Sequence, residues 1–232
     1  MTSALQYEQH DTVALIRVDD GKANALGHDL IGALHDALDR AADSRAVVMA
    51  GRPGRFCAGF DLSVMQGGPD DVRALVQAGA ELFLRLYEFP RPVVLACTGH
   101  ALAAGAIWLM TGDVRIGASG SFKIGLNEVS IGMPVPVFAT ALAQDRLSRR
   151  HLVAATALAT VYDPAGAVDA GYLDLVVDEA AVVDVALGRA GELAAGLRTG
   201  GFAATKRNLR GATVASVRAS LAADMAAFTV ET

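Results

Sequence analysis

The 232-residue sequence predicts an α/β fold built on one main domain. Three observations predict it. Short apolar runs rich in β-branched residues alternate with segments of helical spacing through the first half. Turn residues, glycine above all, close several of those runs. No internal repeat, low-complexity tract or flexible linker breaks the order. Strand followed by helix, repeated, requires crossover connections, and so a mostly parallel sheet with buried strands.

Taken in order, residues 12–18 (TVALIRV) and 46–51 (AVVMAG) read as strands, and Leu30, Ile31, Leu34, Ala37, Leu38 and Ala41 recur at helical spacing between them. Residues 92–99 (PVVLACTG) form a third strand opened by Pro92 and closed by Gly99, and 113–118 with 121–125 supply two more. Helices are expected over 71–87 and 102–111. After Gly132 the character turns helical, with helices expected over 137–147, 149–159, 180–197 and 212–228 and one strand over 172–178 (YLDLVVD). GGPDD (67–71) reads as a loop and RTGGF (198–202) as a hinge. The chain therefore divides into a core, 1–178, and a C-terminal helical region, 179–232. In the latter Val214, Val217, Leu221, Met225 and Phe228 form an apolar stripe that must bury on the core or on another subunit.

Composition excludes several classes. The net charge is -5, and the 20 basic residues are scattered apart from Arg146, Arg149, Arg150 and His151, so a nucleic-acid surface is not expected and any anionic partner is small. No apolar run reaches about 18 residues, and the polar, acidic start does not read as a secretion signal, so neither membrane nor export is expected. The two cysteines, Cys57 and Cys97, sit in apolar surroundings without CxxC or Cys/His clustering. That pattern gives neither a disulfide framework nor a metal site and fits a reducing cytoplasm.

Two segments carry glycine-rich turns between a strand and a helix start: GRPGRFCAGFDL (51–62) and GHALAAGAIWLM (99–110). Free amides and the positive end of a helix dipole favour negative charge there, and two such turns side by side would cradle one oxyanion. Either alone reads equally as close packing of helix on sheet. Neither matches GxxxxGKS or GxGxxG, so a nucleotide site of those kinds is not supported.

FCAGFDL and GHALAAG, together with KANAL (22–26) and IGLNEVSIGMPVP after the second turn, resemble the crotonase superfamily, the enoyl-CoA hydratases and isomerases. The resemblance runs in order from about residue 5 to 228. It implies a crotonase-like ββα spiral with a C-terminal helical region, assembled as a homotrimer or hexamer. The implied partner is an acyl-CoA substrate, with no separate cofactor. It further implies that the thioester oxygen is held by the backbone amides of Phe60 and Ala104. Ala23, Ala25, Leu26, Ala58, Asp61 and Leu62 would then line the adenine pocket, and Lys22 would approach a CoA phosphate if it is not merely an exposed turn residue. An enolate puts charge on that oxygen, and amides aimed there stabilise the transition state by about 3 kcal/mol per donor.

The family's hydratases use two glutamates, and at the position of the first this sequence has Ile107, which can neither orient water nor exchange a proton. The second corresponds to Glu128, and IGLNE closely resembles the Δ3,Δ2-enoyl-CoA isomerases, which keep this single acid. The implied activity is a shift of a 3-enoyl-CoA double bond to the 2-position with Glu128 as base. The alternatives are an enoyl-CoA hydratase or a non-catalytic acyl-CoA binder. Glu128 stands among Ile124, Leu126, Val129, Ile131 and Met133, and burial there would raise its pKa into the working range. Otherwise it caps a turn or pairs with Arg146 or Lys123. Phe60, Val64, Met65, Trp108 and Met133 are candidates to shape the acyl pocket, Lys206 is a further candidate for CoA contact, and Asp113 and Asn24 read as residues that fix turns.

Overall fold

The computed structural model describes residues 4–228. The first three and last four residues, which fall at the two ends of the expected regions, lie outside the described residues. Strands β1 (Leu5–His10) and β2 (Val13–Val18) form a hairpin. Helix α1 (His28–Arg40), β3 (Ala46–Ala50) and β4 (Gly54–Cys57) follow, then the short α2 (Leu62–Met65) and the long α3 (Pro69–Glu88). Next come β5 (Val93–Cys97), β6 (Gly99–Leu102), α4 (Ala104–Thr111), β7 (Val114–Ala118) and β8 (Ile124–Gly125). The chain continues through α5 (Val137–Arg146), α6 (Leu152–Ala155), α7 (Pro164–Ala170), β9 (Leu175–Val177), α8 (Val182–Gly196) and α9 (Thr199–Ala227).

Six strands form the main sheet in the order β1-β2-β3-β5-β7-β9, parallel except for the β1/β2 edge. Alternation along each strand separates two cores, as a pleat of period two demands. Val47, Met49, Val93 and Leu95 face the larger core with α1, α3 and α4, while Ala46, Val48, Val94 and Ala96 face Val182, Ala186, Ala190 and Ala194 of α8. Both faces of the central strands are covered, which is why they read as unbroken apolar runs.

A second sheet, β4-β6-β8, is all parallel and carries both glycine-rich turns. The turns are thus less loop-like than their composition predicts: Gly54–Cys57 and Gly99–Leu102 are strands. Some of their glycines serve sheet packing. A Cβ on Gly99 would stand 2.0 Å from the carbonyl carbon of Gly54, a separation that no side chain tolerates.

Several expected elements change. RTGGF is not a hinge: Arg198 is the extended cap and Thr199 begins a 29-residue helix that runs through the expected 212–228. Gly200 and Gly201 fall in its first turn, where amides lack intrahelical partners anyway, and the buried side of the helix, from Lys206 to Met225, fixes the rest. The expected helix 149–159 contracts to α6, and the strands 172–178 and 121–125 contract to β9 and β8. β1 and α7 are additional. Helix α9 packs on α3 and α5 of its own chain. It is pinned there by Asp113, whose carboxylate takes Lys206 at 2.6 Å, Arg210 at 2.9 Å and the amide of Val93 at 2.8 Å. Lys206 is buried in that cluster, so the expectation that it reaches CoA is corrected: its charge is already committed.

Candidate active site

KANAL and CAGF run side by side. The amide of Ala58 donates to Ala23 O at 3.0 Å, Leu26 N to Gly59 O at 2.8 Å and Asp61 N to Leu26 O at 3.0 Å. In such a parallel bridge the flanking residues, Gly59 and Asp61, make the bonds to Leu26. The N–H of Phe60 therefore points to the opposite side of its strand.

On that side stands the start of α4. Its cap, Ala103, adopts φ 49° and ψ -120°, a conformation rare for alanine that costs about 1–3 kcal/mol. The Ala103 amide is held by Gly125 O at 3.1 Å, and its carbonyl accepts from Ala106 and Ile107. Ala104 is the first residue of the helix, and its N–H has no intrahelical acceptor. A Cβ on Gly59, at φ 115°, would lie 3.3 Å from the Cβ of Ala103 and 3.9 Å from the nitrogen of Ala104. The turn carrying Phe60 and the turn carrying Ala104 are thus in contact. Gly105 permits this approach, since a Cβ there would meet the carbonyl oxygen of Cys57 at 2.1 Å.

Asn24 holds the third side. It is fully buried at φ 53°. Its Nδ2 donates to the carbonyls of Val18, Arg55 and Phe56 at 2.9, 3.1 and 3.2 Å, and its Oδ1 accepts from Asp20 N at 3.0 Å. One side chain locks the KANAL turn to the end of β2 and to β4, which is more than the local turn role its sequence context suggests.

These turns border a cleft of about 490 Å³. Among the described residues that line it, Glu128 is the one titratable side chain; Asn127 and Gln66 are the polar neighbours, and the rest are apolar or glycine. Glu128 is 5% exposed. Its Oε2 is buried without a hydrogen-bond partner; Glu128 occupies the N-cap position of the following 3-10 turn, Val129–Ile131, but its side chain makes no capping bond, and no ion pair to it is found among the described residues. Burial pushes its carboxyl from 4.5 up to about 7, against a smaller opposing pull from its own amide and that of Asn127. Arg146, one of the alternative partners, spends its guanidinium on Gly112 O at 2.7 Å.

Of the residues expected to contact substrate, Phe60, Ala23, Ala25, Ala58 and Leu62 line this cleft with Glu128, and Ile107, 1% exposed, forms part of its wall. Others are placed elsewhere. Leu26 joins the bridge through its main chain while its side chain is fully buried in the core. Asp61 caps α2, accepting from Ser63 N and Oγ at 2.8 and 2.7 Å, and faces a neighbouring cavity with Val64. Lys22 is exposed and lines neither space. Trp108 is buried against Phe56, ring centroids 5.0 Å apart, whereas Met65 and Met133 do line the cleft. Several residues of the site were not singled out from sequence, three of them from different parts of the chain. Asn127 precedes Glu128, Val76 lies on α3, and Phe228 comes in from the end of α9. Phe228 lay in the apolar stripe, but nothing in its spacing linked it to residue 128.

Comparison with known proteins decides the family. Residues 8–231 match the family model described as enoyl-CoA hydratase/isomerase. The chain belongs to the enoyl-CoA hydratase/isomerase family. It is 30% identical to human mitochondrial enoyl-CoA delta isomerase 1 over 181 residues, 75% of this chain and 60% of that protein. It is 31% identical to a probable enoyl-CoA hydratase of Bacillus subtilis over 142 residues, 59% of this chain and 54% of that protein. In both cases the match spans less than two thirds of the relative's length. Among solved structures, a Mycobacterium tuberculosis protein described once as an enoyl-CoA isomerase and once as a probable enoyl-CoA hydratase superposes with a TM-score of 0.93 at 38% identity, covering 98% of this chain and 100% of that one in the first case and 97% and 96% in the second. The fold of this enoyl-CoA hydratase/isomerase family member is therefore the crotonase fold. No helix among its described residues is long and apolar enough to cross a membrane.

Proposed function

We propose that this protein isomerises 3-enoyl-CoA esters to 2-enoyl-CoA esters. The observation that carries the reading is that, among the described residues, Glu128 is the one titratable side chain lining a cleft that the two glycine-rich turns border through Gly59, Phe60, Leu102 and Ala103. A bound thioester would place its carbonyl oxygen against the N–H groups of Phe60 and Ala104. Glu128, as carboxylate, would take a proton from C2. The negative charge would spread over the dienolate and rest on the oxygen that the amides hold. The same carboxyl would then return the proton at C4, leaving the double bond conjugated with the carbonyl and Glu128 ionised again. No water enters the balance, and Ile107 in the wall keeps that side of the cleft apolar. Ala23, Ala25, Ala58 and Leu62 would contact CoA, with exposed Lys22 near its phosphates. Assembly as a homotrimer or hexamer in the cytoplasm belongs to the same proposal, with the region after residue 178 contributing contacts between subunits.

One observation favours a second reading, hydration of 2-enoyl-CoA. Asn127 Oδ1, like Glu128 Oε2, is buried and unpartnered, and both residues line the cleft, so two acceptors are available to orient a water. The separating experiment gives the purified chain 3-enoyl-CoA and 2-enoyl-CoA and follows the conjugated and the 3-hydroxy products separately. Conjugation abolished in Glu128→Gln with folding intact supports isomerisation. A 3-hydroxy product as the main outcome supports hydration, and binding without either product leaves the chain an acyl-CoA binder.

A further inference from the structure

Helix α3 carries a glycine, Gly79, in the middle of its buried face. A glycine there is unfavourable for the helix relative to alanine. What it accommodates is a ring. A Cβ built on Gly79 would stand 2.4 and 2.5 Å from Cε1 and Cζ of Phe60. Phe60 is recessed edge-first into the notch that the missing side chain leaves, and its ring is braced by Phe83, whose centroid lies 6.5 Å away. Phe83 in turn leans on Phe138 of α5 at 6.2 Å. The recessed ring lines the cleft together with Val76, one turn earlier on α3.

The atoms that would collide are the far end of a side chain, not backbone, so a methyl group at 79 is relieved by swinging the ring away from α3. Phe83 blocks one flank, and the space left is the cleft.

We propose that Gly79 is the specificity-determining residue for acyl chain length: by letting the Phe60 ring sink into α3 it keeps the cleft wide enough for straight acyl chains that extend past that ring. This rests on the acyl-CoA reading of the cleft. In this assignment the ring stands along the part of the cleft that only longer chains enter, so a short acyl group is indifferent to residue 79. Longer chains must pass the ring, the wall that residue 79 moves. Because the backbone of Phe60 is bonded on both sides through Gly59 and Asp61, the ring moves about its own torsions while the amide stays.

The test compares binding of saturated butanoyl-CoA and decanoyl-CoA, which requires no turnover, in the unaltered protein, Gly79→Ala, Phe60→Leu and the double variant. Gly79→Ala is expected to weaken decanoyl-CoA by roughly tenfold or more, the size of effect that one misplaced methyl has in a pocket, with butanoyl-CoA changed less than twofold. Phe60→Leu added to Gly79→Ala is expected to restore decanoyl-CoA, because the shorter side chain no longer meets the methyl. Equal weakening of both ligands, no weakening of either, or no restoration in the double variant overturns the proposal. Thermal unfolding of each variant separates these results from loss of fold. The isomerase assignment can fail separately: a chain that binds by length but forms no conjugated product keeps this inference and loses that one.

Discussion

Lys206 Nζ donates to Asp113 Oδ2 at 2.6 Å, and this contact couples helix α9 to the start of β7, the strand that follows the two glycine-rich turns. Arg210, one turn on, holds the other oxygen of Asp113 and also donates to the carbonyls of Tyr87 and Thr111. Both cations are buried. Asp113→Ala leaves them without a counter-ion, and breaking a buried pair in this way costs about 3–5 kcal/mol. The midpoint of urea unfolding is expected to fall accordingly. Because α9 ends at Phe228 in the cleft wall, weaker acyl-CoA binding should accompany the loss of stability. An unchanged midpoint would mean that α9 is held by its apolar stripe alone.

The proposed base, Glu128, carries a pH prediction. With its carboxyl pushed up to about 7, it is half ionised there and fully ionised well above, so kcat/KM is expected to rise with pH to half its plateau near 7. Stability runs the other way. The folded protein binds this proton more tightly than the unfolded chain, so the favourable contribution is complete below 4.5 and is lost as pH rises to about 7. A rise of that size is worth about 3 kcal/mol. Glu128→Gln should therefore be more stable than the unaltered chain at pH 8, by an amount that vanishes near pH 4. Thermal unfolding across that range checks the sign, and an advantage that grows on acidification contradicts it.

Gly105 has no room for a side chain against Cys57 O. Gly105→Ala must push the start of α4 away from the turn that carries Phe60. Losing one oxyanion donor typically costs 10²–10³ in turnover, and a similar fall in kcat is expected with a smaller change in KM. Steady-state kinetics on a folded sample decides it; a retained kcat means that the Ala104 amide is not a donor.

Asn24 gives a prediction with an ordering. Asn24→Ala removes four hydrogen bonds and leaves buried carbonyls without donors, for about 3 kcal/mol or more. Asn24→Asp is the closer match in shape but should be worse, because it sets a carboxylate against the carbonyl oxygens of Val18, Arg55 and Phe56. Unfolding midpoints in the order asparagine, alanine, aspartate check it above pH 7, and aspartate ranking above alanine refutes the assigned donor role.

Much of this was legible in the sequence because local rules act on local residues. The strands of the parallel sheet announced themselves as apolar runs, and the glycines and alanines of CAGF and ALAAG fit turns that only small residues can make. The helix α7 was not expected, although local signals for it stood in the chain: Asp163 as cap, Pro164 at the first position and a glycine, Gly171, beyond the end. The hairpin strand β1 was less visible, since all of its residues but Leu5 and Tyr7 are polar and exposed and its pairing partner supplies the order. The hinge expected at 198–202 failed for a related reason. Local glycine content argued for a break, and contacts with α3, α5 and Asp113 outweighed it.

By itself the sequence determined the fold class, the two turns, the single acid at 128 and the isoleucine at 107, because each depends on residue type at a fixed place in the chain. Tertiary structure alone decided what those pieces are to one another. It placed the Phe60 and Ala104 turns in contact, left Glu128 Oε2 buried and unpaired, diverted Lys206 to Asp113, set Gly79 behind the Phe60 ring, and brought Val76 and Phe228 to the wall of one cleft. These relations join residues tens to more than a hundred positions apart, and packing forces that depend on distance in space leave no period in the chain from which to read them.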